Sequence, residues 1–206
     1  MLEGQRIILR PWCEADLDFF GQLRNDIETQ LVLLAQPRPN SAHRVRQWLE
    51  DRSSVADGVF FVIAAKPEGR AVGFVELRDI HATHGWGQLG ICLDRAARGR
   101  GFAVESLELV EAYARRVLML RKIVLYVAAN NSAARQLYDL AGYATVGIHR
   151  EHYLVGGEWL DAVAMEKSLG GNEAREAAAF PVALNCRHTA ADGRNSQLSI
   201  QDVATP

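Results

Sequence analysis

Two rhythms of apolar and polar positions run along this chain. Residues 5–10 (QRIILR) read as a short strand halted by Pro11. Residues 16–25 instead bring Leu17, Phe20 and Leu23 or Arg24 together at helical spacing. PRPNS at 37–41 breaks the chain, and Ser41 can then cap a helix in which Val45, Trp48 and Leu49 share one face. Residues 59–65 (VFFVIAA) are apolar and partly β-branched, the mark of a buried strand. The turn residues PEGR at 67–70 lead into a hairpin partner at 71–79 (AVGFVELRD). A further strand is expected at 88–93 (QLGICL). It is followed by a helix at 100–118 whose Val104, Leu107, Val110 or Glu111, Ala114 and Val117 form one stripe. Strand 122–127 (KIVLYV) and amphipathic helix 131–141 come next, with Gly142 where a left-handed C-cap belongs. Two last strands, 143–149 and 159–167, join around Gly156-Gly157, a hairpin signal.

Hairpins come first, and strand–helix–strand–helix–strand second. This order predicts an α/β fold on a central mixed sheet, with 88–127 forming a right-handed parallel crossover. After Leu169 periodicity fades and Ala, Asn, Asp, Ser and Gly dominate. Residues 1–169 are therefore expected to form one domain, and 170–206 a mostly disordered tail.

Composition narrows the function classes. The net charge of −2 supplies no basic field for a nucleic-acid backbone. Cys13, Cys92 and Cys186 are odd in number and far apart, which argues against a disulfide framework and against a zinc site. The charged start lacks the apolar core of a signal peptide, and no apolar run approaches the roughly 18 residues of a membrane span. The cytoplasm is the expected compartment, with no membrane partner.

The candidate chemistry sits in LDRAARGRGFAVESL, residues 93–107. A helix start carries unpaired N–H donors and the positive end of the backbone dipole. Arg98, Gly99, Arg100, Gly101, Phe102 and Ala103 stand between a strand and a helix, so they can cradle an anion such as a pyrophosphate. A P-loop string is absent. The dinucleotide pattern G-x-G-x-x-G fits Gly99 and Gly101 but meets Val104 at its third glycine.

These residues resemble the pyrophosphate loop, Gln/Arg-x-x-Gly-x-Gly/Ala, of the GNAT N-acetyltransferase superfamily. About thirty residues on, NSAARQLYDLAGY at 131–143 is similar to that family's N-x-x-A-x-x-L-Y-x-x-x-G-F segment, with Tyr143 in place of Phe. ILRPWCEADLDFF at the start and GEWLDAVAMEKSL at the end resemble the branch that acetylates ribosomal-protein N-termini and its relatives acting on small amines. The resemblance covers residues 5–169. It implies a mostly antiparallel sheet flanked by helices, with a splayed parallel strand pair, 88–93 and 122–127, that holds acetyl-CoA.

It also implies residue roles. Backbone groups of Ile91, Cys92 and Leu93 would pair with the pantetheine arm, and a bulge near Gly90 would free an N–H for the thioester carbonyl. Asn131 could cap its helix or touch the cofactor. Arg135 could reach a phosphate or remain a surface arginine. Tyr138 would give a proton to the departing thiolate, its alternative being a core tyrosine. Many relatives carry a Glu two residues ahead of the Gly corresponding to Gly90, but here Gln88 stands there and cannot take a proton. Glu76 is the next candidate base, with Asp79, His81 and His84 beyond it. Acceptor selection is expected from 31–39 and 150–158. The resemblance implies an acetyl-CoA-dependent N-acetyltransferase without a metal, acting on a small-molecule or protein N-terminal amine, and allows a homodimer. The alternative is a coenzyme A-binding sensor without turnover.

Overall fold

The computed structural model describes residues 1–170. The tail expected beyond Gly170 lies outside the described residues. The strands are β1 (Leu2–Glu3), β2 (Ile7–Arg10), β3 (Val59–Ala65), β4 (Arg70–His81), β5 (Trp86–Leu93), β6 (Lys122–Ala128), β7 (Ala144–Val155) and β8 (Glu158–Ser168). The helices are α1 (Leu17–Asn25), α2 (Ile27–Val32), α3 (Ala42–Ser54), α4 (Phe102–Arg116) and α5 (Ser132–Leu140). The strands form one sheet in the order β1-β2-β3-β4-β5-β6-β8-β7. Every neighbouring pair is antiparallel except β5–β6. This is the α/β architecture expected above.

Period-two alternation sends successive side chains to opposite faces of the sheet. On one face Phe102, Leu107, Val110 and Ala114 of α4, with Tyr138 of α5, pack on Ile63, Val75, Leu77, Ile123 and Leu125. On the other, Phe20 and Leu23 of α1 and Val45 and Leu49 of α3 pack on Phe60, Val62, Phe74 and Cys92. Phe60 and Phe74 stack at 5.4 Å, and Trp48 meets both rings edge-on. Burial of each such aromatic contributes roughly 1.5–3 kcal/mol. Arg10 and Asp16 hold α1 to β2 through two bonds of 2.7 and 2.8 Å. Burial pushes the Asp16 carboxyl up, but these bonds and the Cys13 N–H outweigh it and leave it below its ordinary value.

Three departures from the expectation have local causes. The short helix α2 was not anticipated; Asp26 caps it by accepting from the Thr29 N–H at 2.7 Å, and its Ile27 is exposed. β4 runs two residues further than expected and carries an irregularity between Arg78 and His81. Residues 150–155, expected as loop, belong to β7. Its pairing with β8 shifts between His149 and Tyr153, where Glu151 takes a positive φ and Asp161 accepts from the Glu151 N–H. Gly156 and Gly157 both have positive φ, as a two-residue hairpin turn requires.

Candidate active site

β5 and β6 pair only over Trp86↔Lys122, Gly87↔Ile123 and Gln88↔Val124. Beyond Gln88 the strands part, while β4 stays on β5 and β8 stays on β6. The gap so formed is the splay that the resemblance implies. The Asp94 N–H donates to the Val72 carbonyl at 2.9 Å. Antiparallel pairing alternates, so Cys92 and Gly90 also turn their backbone groups to β4. Leu89, Ile91 and Leu93 turn theirs to the gap. The register of β4 and β5 is one-to-one through Gly90, so the bulge expected there is not formed and the Gly90 N–H is not freed. Ile91 presents the free backbone edge instead.

β5 ends in a single 3-10 turn at Arg95–Ala97, capped by the Asp94 carboxylate on the Ala96 N–H. Gly99 and Gly101 then take φ of 71° and 77°. L-residues with a Cβ rarely adopt this region, and it brings the chain round to start α4 at Phe102. No side chain caps α4, so its first N–H groups are open to an anion. Arg98 is turned back, its Nε donating to the Leu93 carbonyl at 3.2 Å, and Arg100 lies over the Phe102 ring at 4.9 Å.

Arg6, which the sequence reading passed over, braces this loop. Its guanidinium donates to the carbonyls of Arg100 at 2.9 Å and Gly101 at 3.3 Å, and its Nε donates to Glu105 at 3.0 Å. The Arg6 N–H also donates to Glu105. Glu105 is buried. Burial pushes its carboxyl up, but the Arg6 and Ile7 N–H groups and the guanidinium hold it below the ordinary carboxylate range. A Cβ on Gly101 would lie 2.7 Å from the Arg6 guanidinium, and one on Gly4 would lie 2.1 Å from the Glu105 carboxylate. No local signal marks Arg6, because its partners lie about a hundred residues away.

Tyr138 is positioned by the end of α5. Gly142 takes φ of 85°, the Gly142 N–H donates to the Asp139 carbonyl and the Tyr143 N–H reaches back to the Tyr138 carbonyl. This pair of bonds is a Schellman closure, and the accompanying apolar contact is the Tyr138–Tyr143 edge-to-face pair at 5.7 Å. Asn131 caps the other end, its Oδ1 accepting from the Ala134 N–H at 3.1 Å. Arg135 donates to the Ala129 carbonyl at 3.3 Å. Burial, with the charge of a Cys92 thiolate second, pushes the Tyr138 phenol up to about 12, so it keeps its proton at neutral pH. Burial likewise pushes Cys92 up to about 12, which leaves it a poor nucleophile.

On the other face Glu76 lies directly opposite Gly90. A Cβ on Gly90 would lie 3.1 Å from the Glu76 Oε1, so glycine there makes room for the carboxylate. Arg52 of α3 donates to both Glu76 oxygens at 3.1 and 3.2 Å, and the Arg78 Nε stands 3.2 Å away. Burial pushes Glu76 above its ordinary value, and the arginines only partly offset it. Beside it a cavity of about 340 Å³ is lined by Leu23, Arg24, Gln30, Leu33, Gln36, Arg38 and Phe74, among others. The larger hollow, about 590 Å³, lies at the end of β5–β6 where the strands are still paired, and holds His84, Trp86 and Gln88. His81 and His84 stack near Trp86 there, away from the gap.

Glu76 and Gly90 thus face each other across β4 and β5, the Gly99–Gly101 turn follows the end of β5, and Tyr138 packs in the core that α4 and α5 cover. An acyl-CoA fits this set on three counts: the uncapped helix start, the two left-handed glycines and the free edge of β5. The acetyltransferase (GNAT) domain family model matches residues 6–144. The chain is 26% identical over 162 residues to a spermidine N(1)-acetyltransferase of Vibrio cholerae, covering 79% of this chain and 92% of that protein. It is 25% identical over 160 residues to a prophage-derived N-acetyltransferase of Bacillus subtilis, covering 78% and 88%. The structure of the Vibrio cholerae spermidine N-acetyltransferase in complex with CoA and spermine superposes with a TM-score of 0.74 at 24% identity, over 81% and 97% of the two chains. The chain belongs to the GNAT acetyltransferase family, an acyltransferase whose cosubstrate is acetyl-CoA.

Proposed function

We propose that this enzyme moves the acetyl group of acetyl-CoA to the primary amine of a small molecule by direct attack, with both substrates bound together. The observation that supports the reading is the convergence on β5: Tyr138 shares a core with Leu89 and Leu93, and Glu76 packs on Gly90, from elements far apart in the chain. The α4 N-terminus and the Gly99–Gly101 turn would hold the pyrophosphate, and the edge at Ile91 and Leu93 the pantetheine amides. The thioester supplies an activated acyl carbon.

The chain's own groups handle the protons. An ammonium must lose one proton before it can attack, and Glu76, raised by burial, accepts it directly or through water. As the C–N bond forms and the C–S bond breaks, Tyr138 donates its proton to sulfur. The second proton of the amine restores the phenol, and one proton leaves to solvent. The Ile91 N–H is the backbone donor left to steady charge on the carbonyl oxygen. A high Cys92 pKa argues against an acyl-enzyme.

The test is thiol release and a mass gain of one acetyl across a panel of small amines. Peptides bearing ribosomal-type N-termini form a separate arm, because the chain ends resemble that branch. Acetylation of small amines is the expected result. Turnover on peptides alone would overturn the choice of acceptor.

A further inference from the structure

The cavity between α1, the loop after α2 and β4, whose Phe74 lies two residues along the strand from Glu76, is lined by Arg24 and Arg38, with Gln30, Gln36 and apolar side chains, and among the described residues by no carboxylate. We infer that the acceptor amine carries an anionic oxygen group, a carboxylate or a phosphate, which Arg24 and Arg38 hold while its amine points to Glu76. The inference rests on the proposed small-amine acetylation and names the substrate class within it.

Arg24 is the central observation. Its guanidinium lies over the Trp48 ring at 4.5 Å, which fixes it in place. Its Nε is fully buried and has no hydrogen-bond partner among the described residues. The rest of the Arg24 side chain lines the cavity, so an oxygen acceptor that enters there meets a guanidinium already held in place. Burial, and then repulsion from Arg38, Arg52 and Arg44, disfavours its charge. An anion in the cavity would relieve both.

The charges around this cavity are lopsided. Arg24 of α1 and Arg38 of the loop line it, and Arg44 and Arg52 of α3 stand close enough to Arg24 to repel its charge. Glu76 is the acid beside them, and Arg52 and Arg78 already engage it. Glu28 on α2 is paired with Arg95, and Asp26 is spent on capping that helix. The loop that brings Arg38 is itself held: the Gln30 Oε1 accepts from the Arg38 N–H at 2.9 Å, and Gln36 donates to the Leu154 carbonyl of β7 at 2.7 Å. A polycation entering here would meet guanidinium groups. An amine with an anionic group close by satisfies both ends of the site, and about 340 Å³ suits a molecule of amino-acid size.

The experiment compares kcat/KM for amines matched in length. One arm holds amino carboxylates, one aminoalkyl phosphates, one neutral alkylamines and one polyamines. The inference expects one of the two anionic arms to exceed the neutral and polyamine arms at least tenfold, and the better anionic arm identifies the group. Arg38→Gln, at an exposed position, is expected to reduce the anionic-over-neutral preference about tenfold, through KM more than kcat. Arg24→Gln should do the same, with coenzyme A affinity as the check on its fold. Preference for polyamines or neutral amines, or an Arg38→Gln variant with the preference unchanged, overturns the inference alone. Intact coenzyme A binding with no thiol release for any amine overturns the proposed function as well.

Discussion

The loop proposed to hold the coenzyme follows β5, the cavity proposed to hold the acceptor lies beside the neighbouring strand β4, and the two are built by opposite means. The loop is backbone: two left-handed glycines and an uncapped helix end present N–H groups that any anion can use. The cavity is side chains: guanidinium, amide and aromatic groups from α1, the loop after α2 and β4. A backbone site depends on a few consecutive residues and binds the part of a substrate that a whole family shares. A side-chain site can be rewritten one residue at a time, and the anionic acceptor inferred for this cavity departs from the spermidine named for one relative.

Breaking the chemistry between the two regions should have the largest effect. Tyr138→Phe is expected to lower kcat about ten- to a thousandfold, with coenzyme A affinity preserved, in steady-state assays paired with calorimetry. An unchanged rate would leave Tyr138 as a packing residue. The wild-type profile bears on the same point: a phenol raised to about 12 gives no descending limb below pH 10.

Next comes the loop itself. Gly101→Val forces a β-branched residue to a φ of 77° and its Cβ onto the Arg6 guanidinium. Strain of roughly 1–3 kcal/mol predicts a loss of about ten- to a hundredfold in coenzyme A affinity, with the circular dichroism spectrum retained. A folded variant that binds normally would take the loop out of the site.

On the acceptor side, Glu76→Gln should cost about tenfold in kcat/KM at neutral pH. Glu76 is raised above the ordinary carboxylate value, so wild-type kcat/KM should climb with pH as it deprotonates, and the variant should lack that limb. A limb that persists would assign it to another group.

The smallest effect sharpens the contrast. Arg6→Ala should weaken coenzyme A about threefold while leaving acceptor KM unchanged, since among the described residues the guanidinium bonds only to loop carbonyls and Glu105. The folded Glu105 carboxyl is depressed, so its contribution to stability is full above the unfolded value and is lost as pH falls through the folded one. Thermal melts of the variant should therefore be less acid-sensitive than wild type.

The contrast also explains how much could be read before the fold was known. Helices α4 and α5 and the Gly142 closure are contiguous segments whose hydrogen bonds join near neighbours, and the strands before them are short apolar runs, so periodicity and glycine placement reveal them. The Gly90 bulge was a family expectation that this register does not form. Arg6 with Glu105, and Arg52 with Glu76, are pairs 99 and 24 residues apart, and nothing around Arg6 or Arg52 distinguishes it from an ordinary surface arginine.

By itself the amino-acid sequence determined the α/β order, the left-handed turn at Gly99–Gly101 and the place of Tyr138 in the last turn of α5, because each follows from local dihedral freedom and side-chain period. Only the tertiary structure decided which backbone edge of β5 faces the gap, that Glu76 lies against Gly90, and that Arg24 and Arg38 line one cavity. Those outcomes depend on register and on charges gathered from distant elements, and no short-range pattern encodes either.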